Sequence, residues 1–388
     1  MKRRQWLGGA CAQCAALCAG SVFAQEHAPS SWIAPERFAK PDPASDEGGL
    51  WAMMDREERR LRRSPFVIHD VVLHDYLQGI ACKLAGTHCA DVRVYAVRTP
   101  FFNASMAPNG MLQVWSGLLL RVENEAQLAA VLGHEIGHYM RRHTLDSLRD
   151  SKSRSAFATF LAAFGVVGLV GQMATLASAF GFTRDQEREA DSIGLTLMRD
   201  AGYDPREASK IWDNLRVESA AAPGGDPLKS SPMFATHPPS EERSRTLARL
   251  AEDATGGFLG EIEYADKVAG LRFALLEDEI KRGQYGETLV LFDRMVQRAP
   301  ERSDLLYFRG EAHRLRAKDG DLDAAMVDLR RATELGNEPA QVHRSLGYIH
   351  QKFAQSPEAS AEFTRYIELA PNAADADLIR TYISEGKT

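Results

Sequence analysis

Apolar residues recur on a helical period from Val67 to Leu84, at Ile68, Val71, Val72, Tyr76, Leu77, Ile80 and Leu84, which predicts an amphipathic helix. Asp91–Val97 alternates as a strand does. Met111–Trp115 is a second short apolar run, preceded by the turn signal Pro108-Asn109-Gly110. Together they predict a small sheet ahead of a long helix from Glu125 to about His143. Arg184–Arg199 reads as another helix, and Pro223–Pro227 and Ser230–Pro239 read as loops. The expected fold class is α+β and mostly helical.

From about Phe258 onward the pattern is helical and repetitive. Ser345-Leu346-Gly347 is followed at fixed intervals by Ala359, Phe363 and Pro371, which is tetratricopeptide spacing. A second unit aligns Tyr285, Phe292 and Pro300. A third aligns Leu322, Ala325, Leu329 and Ala332, with Gly310 displaced by about three residues. A capping helix is expected over Ala373–Ser384. One helical hairpin cannot bury its apolar face alone, so such units must stack. The predicted organisation is a leader and linker at 25–65, ending in a charged helix over Met53–Arg63, then a folded domain at 66–250 and an α-solenoid at 258–388.

Two segments are unlike the rest. Lys2, Arg3 and Arg4 precede an uncharged stretch from Trp6 to Phe23, and Val22-Phe23-Ala24 has the small residues of a cleavage site. Residues 1–24 therefore read as a secretory signal, with a weak likeness to a twin-arginine signal, and the chain is expected in the periplasm. Leu17 before Cys18 argues against a lipoprotein anchor. The second segment, Ser155–Thr183, holds 29 residues without a charge. Its load of glycine and alanine favours a helical hairpin over the site or in contact with a membrane surface, and a membrane span is the alternative.

Composition narrows the options. The chain has 388 residues, 44% hydrophobic and 26% charged, which is globular. Its formal charge is −6, and loss of residues 1–24, with three basic and no acidic groups, leaves −9. An acidic chain is not expected to bind nucleic acid. Cys82 and Cys89 alone follow the signal. In an oxidising compartment they suit a disulfide, with two free thiols as the alternative.

The chemistry lies in His134-Glu135-Ile136-Gly137-His138. On a helix, positions 134 and 138 share a face one turn apart, so both imidazoles can hold one zinc ion, with Glu135 beside them to act on water. A third ligand is required. Extrapolating the helix turns His143 away from that face. The longer HExxHxxGxxH pattern also fails, at Arg141 and Thr144. Glu187 and Asp191 are four apart on one face of the later helix. Glu187 can ligate, and Asp191 can accept the free ring N–H of a ligand histidine. Glu189 falls on the opposite face as a solvated charge.

Asn103-Ala104, Pro108, Gly110, Ser116-Gly117-Leu118 and Ala126–Ala130, leading into the HExxH helix, resemble the gluzincin metallopeptidase family of HtpX, Oma-type and CAAX-processing enzymes. Glu187–Asp191 matches that family's ExxxD motif, and His237-Pro238 with Arg243 matches its HPxxxxR pattern. The resemblance covers about residues 65–250. It implies a zincin domain in which His134, His138 and Glu187 bind one Zn²⁺ and Glu135 is the acid–base, with Arg243 a candidate to stabilise the oxyanion and a structural ion pair as its alternative role. It also implies that Met111–Trp115 is an edge strand pairing with substrate. His237, in a Pro-rich loop, is a candidate fourth ligand that would hold the enzyme off.

The signal and repeats add a likeness to the family's periplasmic, repeat-bearing members. That implies degradation of misfolded or stalled outer-membrane proteins and docking of the repeats on the outer-membrane assembly machinery. The rival expectations are a non-enzymatic chaperone or adaptor for that assembly and a membrane-embedded metalloprotease.

Overall fold

A computed structural model describes residues 32–150, 182–222, 224, 233–237 and 240–385. The signal segment and nearly all of Ser155–Thr183 lie outside the described residues. Residues 35–388 pack as one compact unit.

Helix α1 (Asp46–Leu61) begins seven residues before the expected Met53. The Ser45 hydroxyl accepts from the Gly48 N–H and caps it, with Asp46 and Glu47 in the first turn. Ser-Asp-Glu is a start signal that the apolar pattern did not reveal. The segment expected as a linker is part of the core. Leu50, Met54 and Leu61 pack with Val97, Met111, Trp115 and Leu145. Glu58, buried on the same helix, is held by Arg93 (2.6 and 2.7 Å) and the Tyr95 hydroxyl (2.7 Å).

Helix α2 (Val71–Ala85) starts where the Asp70 carboxylate accepts from the Leu73 N–H. Leu73, Leu77, Ile80 and Leu84 form its buried stripe, whereas Val71 and Val72 face solvent. Ile68 precedes the helix, its N–H donating to the Ala96 carbonyl. The Cys82 and Cys89 sulfurs are bonded and staple the end of α2 to the 3₁₀ turn at Gly86–Asp91.

The sheet comprises β1 (Arg93–Val97), β2 (Ala104–Met106) and β3 (Met111–Trp115), in the order β1-β3-β2. β3 runs parallel to β1 and antiparallel to β2. Met111–Trp115 is therefore the central strand, not the expected edge. The three-residue β2 carries too little pattern to read from sequence, and it takes the edge position. The Pro108–Gly110 turn joins β2 to β3. Gly110 adopts φ 88°, and a Cβ there would meet the Asp91 carbonyl oxygen at 2.1 Å.

After α3 (Ser116–Arg121), helix α4 (Glu125–Met140) is buried along its whole length. The Asn124 side chain caps it by accepting from the Gln127 N–H. Helix α5 (His143–Asp150) follows a break, and α6 (Arg184–Asp200) opens on a reciprocal capping box between Thr183 and Gln186. Helix α7 (Glu207–Ala220), a helical turn at Met233–Thr236 and α8 (Glu241–Leu250) complete this half. The turn falls in a segment expected to be loop.

Seven helices follow: α9 (Glu261–Lys281), α10 (Tyr285–Arg298), α11 (Ser303–Arg316), α12 (Asp321–Leu335), α13 (Gln341–Lys352), α14 (Ser356–Leu369) and α15 (Ala376–Glu385). Each packs on its neighbour in sequence. At two of these contacts a glycine lies under a large apolar side chain. A Cβ on Gly347 would meet the Phe363 ring at 2.4 Å, and one on Gly310 would meet Leu329 Cγ at 3.0 Å. No helix among the described residues is long and apolar enough to cross a membrane.

Candidate metal centre

Helices α4 and α6 cross at closer range than ordinary side chains permit. A Cβ on Gly137 would lie 3.0 Å from the Ala190 carbonyl oxygen, and one on Gly194 would lie 3.0 Å from the His134 nitrogen. Bare backbone at the crossing lets the two chains touch. The charged positions flanking it, on both helices, then converge.

Four buried side chains meet there: His134, His138, Glu187 and His237. His134 Nε2 lies 3.1 Å from both His138 Nε2 and His237 Nδ1. Glu187 Oε1 lies 3.3 Å from His138 Nε2 and 2.7 Å from His237 Nδ1, and its Oε2 is 3.6 Å from His134 Nε2. A tetrahedral ion with bonds near 2.0–2.1 Å sets its donors roughly 3.4 Å apart. The four atoms match that spacing, and two imidazoles with a carboxylate suit zinc, so the residues fit the implied metal.

Each ligand histidine on α4 is oriented from behind. Asp191 Oδ1 is 2.9 Å from His134 Nδ1, which leaves Nε2 to face the cluster. The second support is one that helical extrapolation missed. Glu189 Oε2 lies 3.1 Å from His143 Nε2, and His143 Nδ1 is 2.9 Å from His138 Nδ1. With its Nε2 proton on Glu189, His143 offers Nδ1 as an acceptor. His138 then donates from Nδ1 and points Nε2 at the metal position. His143 is indeed not a ligand, but it is buried against one. The helix ends at Met140, and Arg142 sits at φ 58°, which swings His143 back. Arg141 pairs with the other Glu189 oxygen, so that carboxylate is not the free solvated charge expected.

Arg243 is a clamp in this geometry. Its Nε and Nη2 donate to both oxygens of Asp191 at 2.8 and 2.6 Å, and its Nη1 is 3.2 Å from Glu187 Oε2. Its guanidinium lies 3.6 Å above the Trp212 ring centre. Nε and Nη2 are committed to Asp191, as in a structural ion pair, and Nη1 is buried without a hydrogen-bond partner. Trp212 and Phe182, whose ring centre lies 4.0 Å from that of His138, had no sequence signal. Trp212 shares an apolar helical stripe with Ile211 and Leu215 and reads as ordinary core.

Burial favours the neutral form of every group here, and the charges reverse that selectively. Burial would raise the Glu187 pKa, but His237, His134 and Arg243 hold it well below the usual carboxylate range. Glu135 has weaker compensation from His237 and His134, so burial leaves its pKa raised. Its Oε1 is buried without a hydrogen-bond partner and lies 3.8 Å from His237 Nε2. A raised, unengaged carboxylate beside the ligands is equipped to exchange protons.

A helix-borne histidine pair, joined by a carboxylate from a second helix, is the arrangement that the resemblance to gluzincin metallopeptidases implies. Residues 69–251 match the model for Peptidase family M48. The mitochondrial metalloendopeptidase OMA1 of Arabidopsis thaliana is 36% identical over 156 residues, which are 40% of this chain and 31% of the relative. The putative beta-barrel assembly-enhancing protease of Vibrio cholerae is 31% identical over 215 residues, 50% of this chain and 43% of the relative. The beta-barrel assembly-enhancing protease of Escherichia coli is 28% identical over 250 residues, 59% and 49% respectively. The chain thus spans about a third to a half of the length of these relatives.

Proposed function

We propose that the protein is a zinc-dependent endopeptidase of the periplasm, exported by residues 1–24, that degrades misfolded or stalled outer-membrane proteins. The observation that carries the catalytic part is the convergence of His134, His138 and Glu187 beside the unengaged Glu135. When bound, the zinc ion supplies Lewis acidity toward a peptide carbonyl and activates water. Glu135 Oε1 takes the proton from that water and delivers it to the leaving amine. Asp191 and the His143–Glu189 pair hold the two imidazoles in register. Arg243, seated on Trp212, holds Glu187 and Asp191 in place. β2, at the edge of the sheet, replaces β3 as the strand offered to an extended substrate.

His237 occupies the fourth corner of the donor set, the corner that water and substrate need. On this reading the enzyme is held off until the Met233–His237 turn withdraws. His237→Ala should raise proteolysis severalfold, and unchanged or lower activity removes the gate.

The seven C-terminal helices are read as a tetratricopeptide-type stack that docks partner chains, with the outer-membrane assembly machinery as the intended partner. The Gly347–Phe363 socket supports this reading, since it falls where the spacing of the repeats expects it. The names of the Vibrio and Escherichia relatives support the pathway.

The deciding experiment combines metal analysis with casein digestion. Wild type should bind about one zinc per chain and cleave, and Glu135→Gln should keep the metal and lose at least about 10³-fold in rate. Bound metal without cleavage by the wild type would leave a chaperone or adaptor with a structural metal, and equal cleavage by both would remove Glu135 as the acid–base.

A further inference from the structure

A cavity of about 300 Å³ lies away from the metal cluster, between the end of α3 and helices α9, α10 and α11. Its walls are apolar, with Leu120, Val268, Leu275, Leu291 and Leu305 among them. Four arginines line it besides the buried Arg121: Arg272, Arg294, Arg298 and Arg302.

Three of these cations already have carboxylates. Arg294 pairs with Glu218 at 2.6 Å and with Glu123 at 3.1 Å, Arg298 pairs with Glu123, and Arg302 pairs with Asp304. Arg272 is different. It is half-buried, and no carboxylate among the described residues lies within ion-pair distance of it. Burial and the nearby charge of Arg302 push its pKa down, and the more distant Asp304, itself paired with Arg302, offsets this only in part. A partly desolvated cation on an apolar wall without a counter-ion is costly unless something supplies one.

We propose that this cavity receives the C-terminal residue of a polypeptide, with an apolar last side chain against the leucines and the terminal carboxylate on Arg272. The volume lies at the lower limit for ligand pockets, so it suits the end of a chain rather than a long segment. Glu261 on the lining, exposed, is an acceptor that can take backbone N–H groups of the preceding residues. A fatty acid has no such donors to offer. The inference rests on the proposed action on polypeptides and adds a site at which their ends are held.

The test is fluorescence anisotropy with the full mature chain and labelled hexapeptides of glycine and serine, all sharing one body. One ends in phenylalanine with a free carboxylate, one in phenylalanine amide and one in serine with a free carboxylate. The first should bind about tenfold tighter than either of the others. Arg272→Gln should abolish the preference of acid over amide while leaving thermal stability unchanged. Ala265→Trp, at an exposed position on the lining, should block binding of all three, and both variants should still digest casein at the wild-type rate.

Equal binding of acid and amide, or an undiminished preference in Arg272→Gln, would overturn the proposal. So would displacement of the peptide by decanoate at a lower concentration than by unlabelled peptide. Because binding is read without cleavage, a protein that holds the peptides but leaves casein intact would sink the protease reading alone.

Discussion

The metal-bearing half and the helical stack both place glycine where two helices touch, and they use it for opposite purposes. Gly137 and Gly194 face backbone, at 3.0 Å from the Ala190 carbonyl oxygen and the His134 nitrogen. Gly347 faces only the Phe363 ring, while Gly310 is intermediate, with Leu329 at 3.0 Å and the Ala325 carbonyl oxygen at 3.2 Å. In the first case the spacing between helix axes is itself the product, because it decides whether Glu187 reaches two imidazoles. In the second the glycine is a socket for an apolar knob, and the knob can shift. A backbone contact cannot relax by changing rotamer, whereas a phenylalanine can. The half that does chemistry is therefore the less tolerant one.

That contrast is open to direct attack. Gly194→Val should force α4 and α6 apart, cost about 2–3 kcal/mol and leave less than a tenth of the bound zinc. Gly347→Val should cost less, about 1–2 kcal/mol, and leave zinc content and casein digestion intact, as calorimetry with metal analysis would show. If both variants keep their metal, the crossing distance does not control the site.

A smaller effect separates the two histidine supports. Asp191→Asn should weaken zinc affinity about 10–100-fold, measured by chelator competition, because His134 loses its carboxylate and Arg243 its main partner. His143→Phe should cost less, about tenfold, since its charge partner Glu189 is also held by Arg141. Equal losses would mean that the two imidazoles are supported alike.

The smallest effect is in pH dependence, where the halves should differ in sign. Burial would raise the Glu58 pKa, but hydrogen bonds from Arg93 and Tyr95 bring it below 4.5. Its contribution is present above 4.5 and is lost as the pH falls through the lower folded value. His343 in α13 is raised above 6.5, first by its hydrogen bond with Glu362, against a smaller desolvation. Its contribution is full below 6.5 and is lost as the pH rises through the higher folded value. Glu58→Gln should flatten the acid limb of the stability curve, and His343→Gln the limb just above neutrality. The same limb affected by both would show that the halves do not titrate independently.

Much of the centre was legible from spacing. His134 with His138, and Glu187 with Asp191, are pairs four apart inside one helix, where a single geometric rule governs both members. The rule failed wherever the chain left the helix. His143 could not be placed because Arg142, a residue without the usual preference for positive φ, reverses the chain there. Glu189 was misread for the same reason, since its partner arrives from beyond the break. The three-residue β2 was invisible, so β3 was taken for the edge.

Local periodicity thus determined which chemistry the chain carries: two imidazoles, an adjacent carboxylate and a second acidic pair, each presented on a helical face. Tertiary structure decided who joins them, bringing His237 beside the imidazoles and Glu187 and turning Arg243 onto Trp212 and Asp191. The physical reason is one of range. Helical geometry is set by hydrogen bonds within four residues, and sequence displays it directly. The meeting of distant helices depends on side-chain volume and backbone contact across the core, which no single stretch of sequence contains.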